Sequence, residues 1–260
     1  FSWNEFMRIK PISLAFLLSF FLIFQAQASE AKSSPLSYSQ SAQLIRDTYE
    51  RELFTLPPFK EGHFGLRMYR QTQDQRYLAA IWTDMAQVAS RLNRLSNEVV
   101  EPEAIILYAS QRLTQYQKKD DERGQLRYTV TKHHPEYLYL GLDLLGAMAR
   151  ADEYGLKHNN DVILREVLNR YDFTHYVTDR EMREAWAAQL ANQVYWLRQL
   201  GEQDVVEAFT QAFKTTYPDD EDKKLSTQQY GNKIYGMTHI AFADSQYYQK
   251  QVSEQDHQWI

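Results

Sequence analysis

Polar side chains recur at helical spacing inside several apolar stretches of this sequence. Asn232, Tyr235 and His239 stand at positions i, i+3 and i+7 of one such stretch, which continues as IAFAD. On an α-helix these three positions share one face. A polar group buried in a helix costs about 1–3 kcal/mol when it has no hydrogen-bond partner. The spacing therefore predicts that these side chains pair with one another or line a wet cavity.

Other apolar stretches carry polar groups of the same kind. His63 and Arg67 stand one helical turn apart, and Asn192 interrupts the run AWAAQLANQVYWL. Asp143 lies inside the run YLYLGLDLLGAM, two helical turns after Glu136. Because several apolar helices carry such groups independently, the sequence predicts a shared polar site.

These residue types suit two chemistries. A histidine and a tyrosine beside an arginine can abstract the proton α to a uronate carboxylate, while the arginine neutralises that carboxylate. Paired acids such as Glu136 and Asp143 suit glycoside hydrolysis, although on one straight helix they stand about 10 Å apart, slightly beyond the inverting range. We expect catalytic roles for His239, Tyr235, Asp143 and His134. We expect substrate-binding roles for His63, Arg67, Glu136, Asn192 and Asn232.

Each of these residues also has a purely structural interpretation. A buried aspartate such as Asp143 is commonly a hydrogen-bonded core group that pairs with an arginine on a neighbouring helix. His239 can be a packed core histidine, and Asn192 can join two helices by a hydrogen bond. His134 can lead into a helix as part of its cap. Both interpretations stay open from the sequence.

The composition and motifs exclude several classes of site. The chain has no cysteine among its 260 residues, which excludes disulfides, thiolate zinc sites and iron–sulfur clusters. Its net charge of −5 gives no support for a nucleic-acid partner. HExxH spacing, a Walker loop, a nucleophile elbow and a Rossmann glycine fingerprint are all missing from the sequence. We therefore expect neither a metal nor a cofactor.

The elements that must position these residues are helices of two kinds. One kind carries a single apolar stripe, and we expect it at 38–55, 75–95, 160–171 and 202–214. The other kind is apolar on nearly all sides, and we expect it at 62–70, 102–117, 134–152, 180–200 and 230–249. Short polar junctions between them predict an array of antiparallel αα-hairpins with buried inner helices.

This alternation resembles the α/α-toroid, a ring of helical hairpins found in several glycosidases, polysaccharide lyases and cyclases. The stretches GHFGLRMYRQTQDQRYL (62–78) and YGNKIYGMTHIAFADSQYYQ (230–249) resemble an exported bacterial family of unassigned function. Such a family implies no catalytic residues. We expect an all-α fold with one domain over 38–260. We expect the toroid to be incomplete within this sequence, and the sequence leaves open whether residues beyond Ile260 complete the ring.

Two segments interrupt the helical pattern. Residues 117–133 begin with a charge run and end in the alternating stretch RYTVT (127–131), which predicts a loop with a short strand or hairpin. Residues 217–228 are acidic and then basic, which is typical of a solvated connector. A calcium site is the alternative for this second segment, but its spacing departs from the EF-hand loop.

The N-terminal segment reads as an export signal. Residues 1–6 precede Met7, the basic pair Arg8 and Lys10 follows, and an apolar run leads to Ala26-Gln27-Ala28. This pattern predicts cleavage after Ala28, with 29–37 as a flexible lead-in. The mature protein is then periplasmic or secreted and retains no transmembrane segment.

Two classes of function fit these features. The more specific is a carbohydrate-active enzyme, a lyase or a hydrolase, which acts on an anionic oligosaccharide or a cell-wall glycan. The alternative is a non-catalytic envelope protein that binds or scaffolds through a helical-hairpin array. The sequence alone leaves open whether the protein is an enzyme.

Overall fold

The computed structural model describes residues 36–260, and the regular secondary structure in that part of the chain is helical. The predicted all-α class is confirmed. The predicted signal sequence and its cleavage site lie outside the described residues. The chain divides into two units, with the boundary between Arg51 and Glu52. The first unit contributes helix α1 (Tyr38–Arg51), which ends before the boundary expected at 55.

The second unit holds the predicted site residues. Its α-helices are α2 (Pro58–Thr72), α3 (Leu78–Glu98), α4 (Pro102–Gln117), α5 (Glu122–Thr131), α6 (Leu145–Glu153), α7 (Asp161–Asn169), α8 (Phe173–Thr178), α9 (Arg180–Gln199), α10 (Val206–Thr216), α11 (Thr227–Asp244) and α12 (Glu254–His257). A π-helical segment, Leu138–Leu144, runs directly into α6. Short 3-10 turns occupy Leu53–Thr55, Gln75–Tyr77 and Asp219–Lys224.

Helix α9 is the centre of the second unit. It packs against α5, α6, α8, α10, α11 and the π-helical segment. Trp186 of α9 is fully buried in the core of this unit. Its indole N–H donates to the Thr131 hydroxyl on α5 (2.9 Å). Helices buried on nearly all sides are confirmed for α9 and for 138–151, since both are lined by buried residues around most of their circumference.

The other helices expected to be apolar all round are buried on one face only. In α11 the buried residues form one stripe, while Ile234, Tyr235 and Phe242 remain 42%, 45% and 37% exposed. In α4, Ile106 and Leu107 are likewise exposed. Apolar composition shows that a helix can be buried on two faces, but burial needs a second packing partner. For α11 the dominant partner is α9, and it covers one face.

The strand expected at 127–131 is wrong, because this stretch is the second half of α5. The Asp121 carboxylate accepts a hydrogen bond from the backbone N–H of Gly124 (2.8 Å) and caps the helix. The Arg127 guanidinium then donates to the Ala185 carbonyl (3.1 Å) and to the Gln189 side chain (3.0 Å) on α9. Packing against α9 thus overrides the local strand preference of this sequence.

The segment expected as a solvated connector is tied to the core. Lys233 of α11 is buried, with 3% of its side chain exposed, and its ammonium group donates to Asp219 (2.5 Å) and Asp222 (2.6 Å). The acidic residues of this turn therefore neutralise a buried lysine. Among the described helices, none combines the length and hydropathy that a bilayer span requires.

Glycines set the close approach of α2 and α3. A Cβ atom on Gly62 would stand 2.2 Å from the Cβ of Asp84, so any larger residue forces the two helices apart. Gly65 faces Ala80 in the same interface, where an added Cβ would stand 2.9 Å from the alanine methyl. The α2–α3 hairpin thus depends on small residues along one side of α2.

We predict opposite effects for alanine at two helical glycines. Gly62→Ala lowers the free energy of unfolding by about 1–3 kcal/mol, because the added methyl group overlaps Asp84. Gly231→Ala raises it by about 0.5–1 kcal/mol, since apart from the adjoining residues and backbone of its own helix no atom lies within 4 Å of the added methyl group, and alanine favours the helix. Urea unfolding of the two variants measures both changes. Equal changes in the free energy of unfolding for the two variants would contradict the close contact between α2 and α3 at Gly62.

Candidate functional site

Five of the predicted site residues lie together with one residue that the sequence did not single out. They come from α2, α9, α11 and the chain just after α11. We name this group the histidine cluster, and its members are His63, Arg67, Asn192, Tyr235, His239 and Tyr247.

A hydrogen-bonded triad fixes the imidazole of His239. The Tyr247 hydroxyl donates to the Asn192 side-chain oxygen (2.7 Å), and His239 Nδ1 lies 3.2 Å from that same oxygen. Because an amide oxygen only accepts hydrogen bonds, Nδ1 of a neutral His239 carries the proton. Its Nε2 then keeps a free lone pair. The Tyr235 ring packs edge-on against the imidazole, with centroids 4.4 Å apart.

The environment keeps His239 neutral. Burial lowers the pKa of His239, and the nearby charge of Arg67 lowers it further. The same surroundings raise the pKa of Tyr247 to about 12, chiefly through burial, so its hydroxyl keeps its proton. At neutral pH His239 is therefore an unprotonated base whose orientation is set by Asn192 and Tyr247.

The second histidine of the cluster is also neutral. Burial, followed by the charges of Arg67 and Arg150, lowers the pKa of His63 to about 3. Its ring lies 6.3 Å from that of Tyr247 and 5.9 Å from that of Phe59. His63 is therefore an uncharged hydrogen-bonding group at the edge of the cluster.

Arg67 is the cation of the cluster. One of its amino groups donates to the His63 carbonyl (2.9 Å), and its guanidinium carbon lies 4.2 Å from the centroid of the Tyr247 ring. Burial lowers the pKa of Arg67 to about 10, which still leaves it charged at neutral pH. Within residues 36–260 no carboxylate forms an ion pair with it. Arg67 therefore offers a positive charge to an anionic ligand.

A buried network of charged side chains lies close to Arg67. Arg150 donates to Asp84 (2.8 Å) and to Glu153 (3.2 Å), and Tyr154 also donates to Asp84. Arg70 lies 3.5 Å from Glu153. These contacts pair the two carboxylates with Arg70 and Arg150, so Arg67 has no ion-pair partner of its own among the described residues, and Glu153 acts on its charge only from a longer distance.

The backbone that carries Tyr247 is unusual. Gln246, Tyr247 and Tyr248 have φ values of 50°, 53° and 71°, in the left-handed region. A non-glycine residue there costs about 1–3 kcal/mol, and such residues concentrate at functional sites. The backbone N–H of Tyr247 donates to the Phe242 carbonyl (2.9 Å), which holds the reversal. The reversal places the Tyr247 ring over Arg67. No glycine marks it in the sequence, which is why Tyr247 was missed.

Asn232 belongs to the packing of α11 instead. It is buried, accepts a hydrogen bond from Arg123 (2.8 Å) and donates to the Glu184 carbonyl (2.5 Å). Arg123 also lies 5.7 Å from the centroid of the Tyr235 ring. Asn232 therefore fixes the register of α11 against α9 and α5, one turn below Tyr235.

The remaining predicted residues have structural partners elsewhere. Asp143 accepts from the Tyr108 hydroxyl (2.6 Å) and pairs with Arg112 (3.1 Å), which matches the alternative of a core aspartate bound to a neighbouring arginine. Glu136 accepts from the Tyr176 hydroxyl (2.8 Å). The His134 ring packs edge-on against His175, with centroids 4.7 Å apart. These contacts give no support to a pair of catalytic acids.

The described residues offer no metal centre, because no group of three or more His, Asp or Glu side chains is arranged to hold an ion. The histidine cluster combines a neutral oriented base, an unpaired guanidinium, tyrosine hydroxyls and exposed aromatic rings.

The pKa of His63 predicts a specific loss of stability in acid. The unfolded histidine titrates near 6.5 and the folded one near 3, so the folded state binds fewer protons between these values. Stability therefore falls as the pH drops through this window. We expect His63→Gln to lose less free energy of unfolding across it than the wild type. His133→Gln, at an exposed position, is the control, and equal losses in all three proteins would contradict the buried neutral state.

Comparison with known proteins adds a family assignment. No curated protein and no solved structure gives a significant match to the chain. One family model, described as a domain of unknown function (DUF3541), matches residues 38–260 and so spans every residue of the histidine cluster. This agrees with the resemblance to a family of unassigned function, and the chain belongs to the DUF3541 family.

Proposed function

We propose that the histidine cluster binds an acidic oligosaccharide and cleaves it by β-elimination at a uronate residue. One observation carries the proposal: the neutral base His239, oriented through Nδ1 by Asn192, shares the Asn192–Tyr247 contacts with Arg67, a guanidinium that has no ion-pair partner in the described part of the chain and stacks on the Tyr247 ring. A base and an unpaired cation are the two groups that proton abstraction next to a carboxylate requires.

The elimination assigns a task to each group. His239 Nε2 takes the proton from the carbon α to the carboxylate, and Arg67 stabilises the negative charge that develops on the carboxylate. The electron pair then forms a carbon–carbon double bond as the glycosidic C–O bond breaks. The leaving oxygen takes a proton from the hydroxyl of Tyr235, whose side chain is 45% exposed. Asn192 and Tyr247 act as positioning residues.

Aromatic rings around the cluster provide surfaces for sugar stacking. The rings of Phe242 and Tyr248 lie 5.5 Å apart, and Phe242 lies 6.3 Å from His239. The Phe59 ring lies 5.9 Å from that of His63 and is 56% exposed. Aromatic faces bind the apolar faces of sugar rings, so this row supports several residues of a glycan chain next to the base.

The exposed face of α11 supports a second candidate, a non-catalytic envelope protein that binds a partner. Tyr230, Ile234, Tyr235 and Phe242 are all more than a third exposed on this helix. Exposed apolar patches of this kind mark interaction surfaces. Under this alternative the protein binds glycan or protein and releases no product.

The wider setting of the proposal comes from the sequence. The segment from Met7 to Ala28 supports export to the periplasm or beyond, where acidic and cell-wall glycans occur. The buried helices α6 and α9 pack against each other, and α9 also packs against its chain neighbours α8 and α10, which supports an α/α-toroid plan as the finer architecture.

We predict that the protein releases unsaturated ends from at least one member of a panel of uronate polymers, with peptidoglycan as a further test. His239→Ala lowers kcat by about 10²–10⁴-fold, because it removes the general base. Tyr235→Phe lowers kcat as well, because it removes the proton donor for the leaving oxygen. Arg67→Gln weakens turnover of the uronate substrate, because it removes the charge that stabilises the carboxylate. The measurement is the ultraviolet absorbance of the new carbon–carbon double bond.

His133→Gln is the matched control and leaves the rate unchanged. Unaltered activity of His239→Ala would overturn the assigned mechanism. Glycan binding by calorimetry without any product from the panel would favour the non-catalytic candidate instead.

A further inference from the structure

A polar cleft lined by arginines lies between α3 and α4. It encloses about 370 Å³ and is lined by Arg91 and Arg94 of α3 and by Tyr108, Gln111 and Arg112 of α4, with Asp143 of the π-helical segment beneath them. We name it the arginine cleft. It shares no residue with the histidine cluster.

The carboxylate of Asp143, whose oxygens accept hydrogen bonds from neighbouring side chains, forms the floor of the arginine cleft. Asp143 is 8% exposed and accepts the Tyr108 hydroxyl (2.6 Å) together with the Arg112 guanidinium (3.1 Å). Arg112 also contacts the other Asp143 oxygen (3.5 Å) and donates to the Gln115 side chain (2.8 Å). Asp143 thus fixes the direction of Arg112 and neutralises one of the three arginines.

The walls carry positive charge that the protein leaves unpaired. Neither Arg91 nor Arg94 forms an ion pair with a carboxylate in the described part of the chain. They stand one helical turn apart on α3, both are exposed to solvent, and Arg94 lies 5.8 Å from the centroid of the Tyr108 ring. Like charges held on one wall repel each other until an anion enters between them.

We propose that the arginine cleft binds a small ligand with two or more oxyanion groups, phosphate or carboxylate. Guanidinium groups bind such groups with paired hydrogen bonds, and Arg112 is held in place by Asp143 before the ligand arrives. The cleft has the volume of a small-molecule site. Gln111 adds a neutral polar group that can contact hydroxyls of the ligand. This site is independent of the chemistry at His239.

The test uses inorganic pyrophosphate and citrate as probes, with titration calorimetry on the full chain at low ionic strength. We expect each probe to bind in the arginine cleft. We also expect its affinity to fall as salt is added, because the arginine charges attract it. The double variant R91Q/R94Q weakens binding by at least tenfold, about 1.4 kcal/mol or more. The control R180Q/R198Q removes the same charge from exposed positions of α9 and changes the affinity less than twofold.

Asp143→Asn gives a result of the opposite sign. The Tyr108 hydroxyl and Arg112 Nε both donate to the same Asp143 oxygen, so the amide oxygen can accept both and Arg112 keeps its direction. The negative charge beneath Arg112 is gone, so probe affinity rises several-fold. Tighter binding of pyrophosphate than of citrate identifies a phosphorylated ligand, and the reverse identifies a polycarboxylate. The proposal is overturned if neither probe binds, if the two double variants weaken binding equally, or if Asp143→Asn fails to tighten it.

Discussion

The buried charge of Arg150 is the constraint on which the histidine cluster depends. Its side chain is 7% exposed, and the Asp84 carboxylate that it contacts is 2% exposed. Breaking such a pair by removing one partner costs about 3–5 kcal/mol, so α3 and α6 are held in one arrangement. Gly62 lets α2 lie directly against Asp84. The pair therefore determines where α2 presents His63 and Arg67.

The same positive region controls the protonation of the histidines. Burial is the larger cause for both histidines; the charge of Arg67 adds to it at both, and the charge of Arg150 adds to it at His63, so both stay neutral where a solvated histidine would titrate. A neutral base can accept a proton, whereas an imidazolium cannot. The arginines thus serve two purposes, since they attract an anion and keep His239 ready to act as a base.

Much of this arrangement could be predicted from sequence periodicity, but the pairing of faces could not. Spacing predicts His63 and Arg67 on one helix face and Tyr235 and His239 on another. In the structure the Arg67 side chain contacts His63, and the Tyr235 ring contacts His239. Asp143 looked equally catalytic, because a buried carboxylate in an apolar helix gives no sign of its partners. Only the fold shows that Tyr108 and Arg112 saturate it.

Two further features depend on long-range contacts that leave little local signal. The stretch 127–131 alternates like a strand, yet contacts from Arg127 to α9 make it helical. The reversal at 246–248 uses no glycine, so nothing in the sequence indicated that Tyr247 would cover Arg67. Its position is set by hydrogen bonds to Asn192 and to the end of α11.

The protonation state of His239 is the central claim, and nitrogen NMR of histidine-labelled protein measures it directly. The His239 signals are assigned by their loss in His239→Gln and recorded at neutral pH. We predict the neutral tautomer with the proton on Nδ1, and we predict that Asn192→Leu abolishes this preference. An imidazolium at neutral pH, or a neutral ring with its proton on Nε2, would contradict the assignment of His239 as the base.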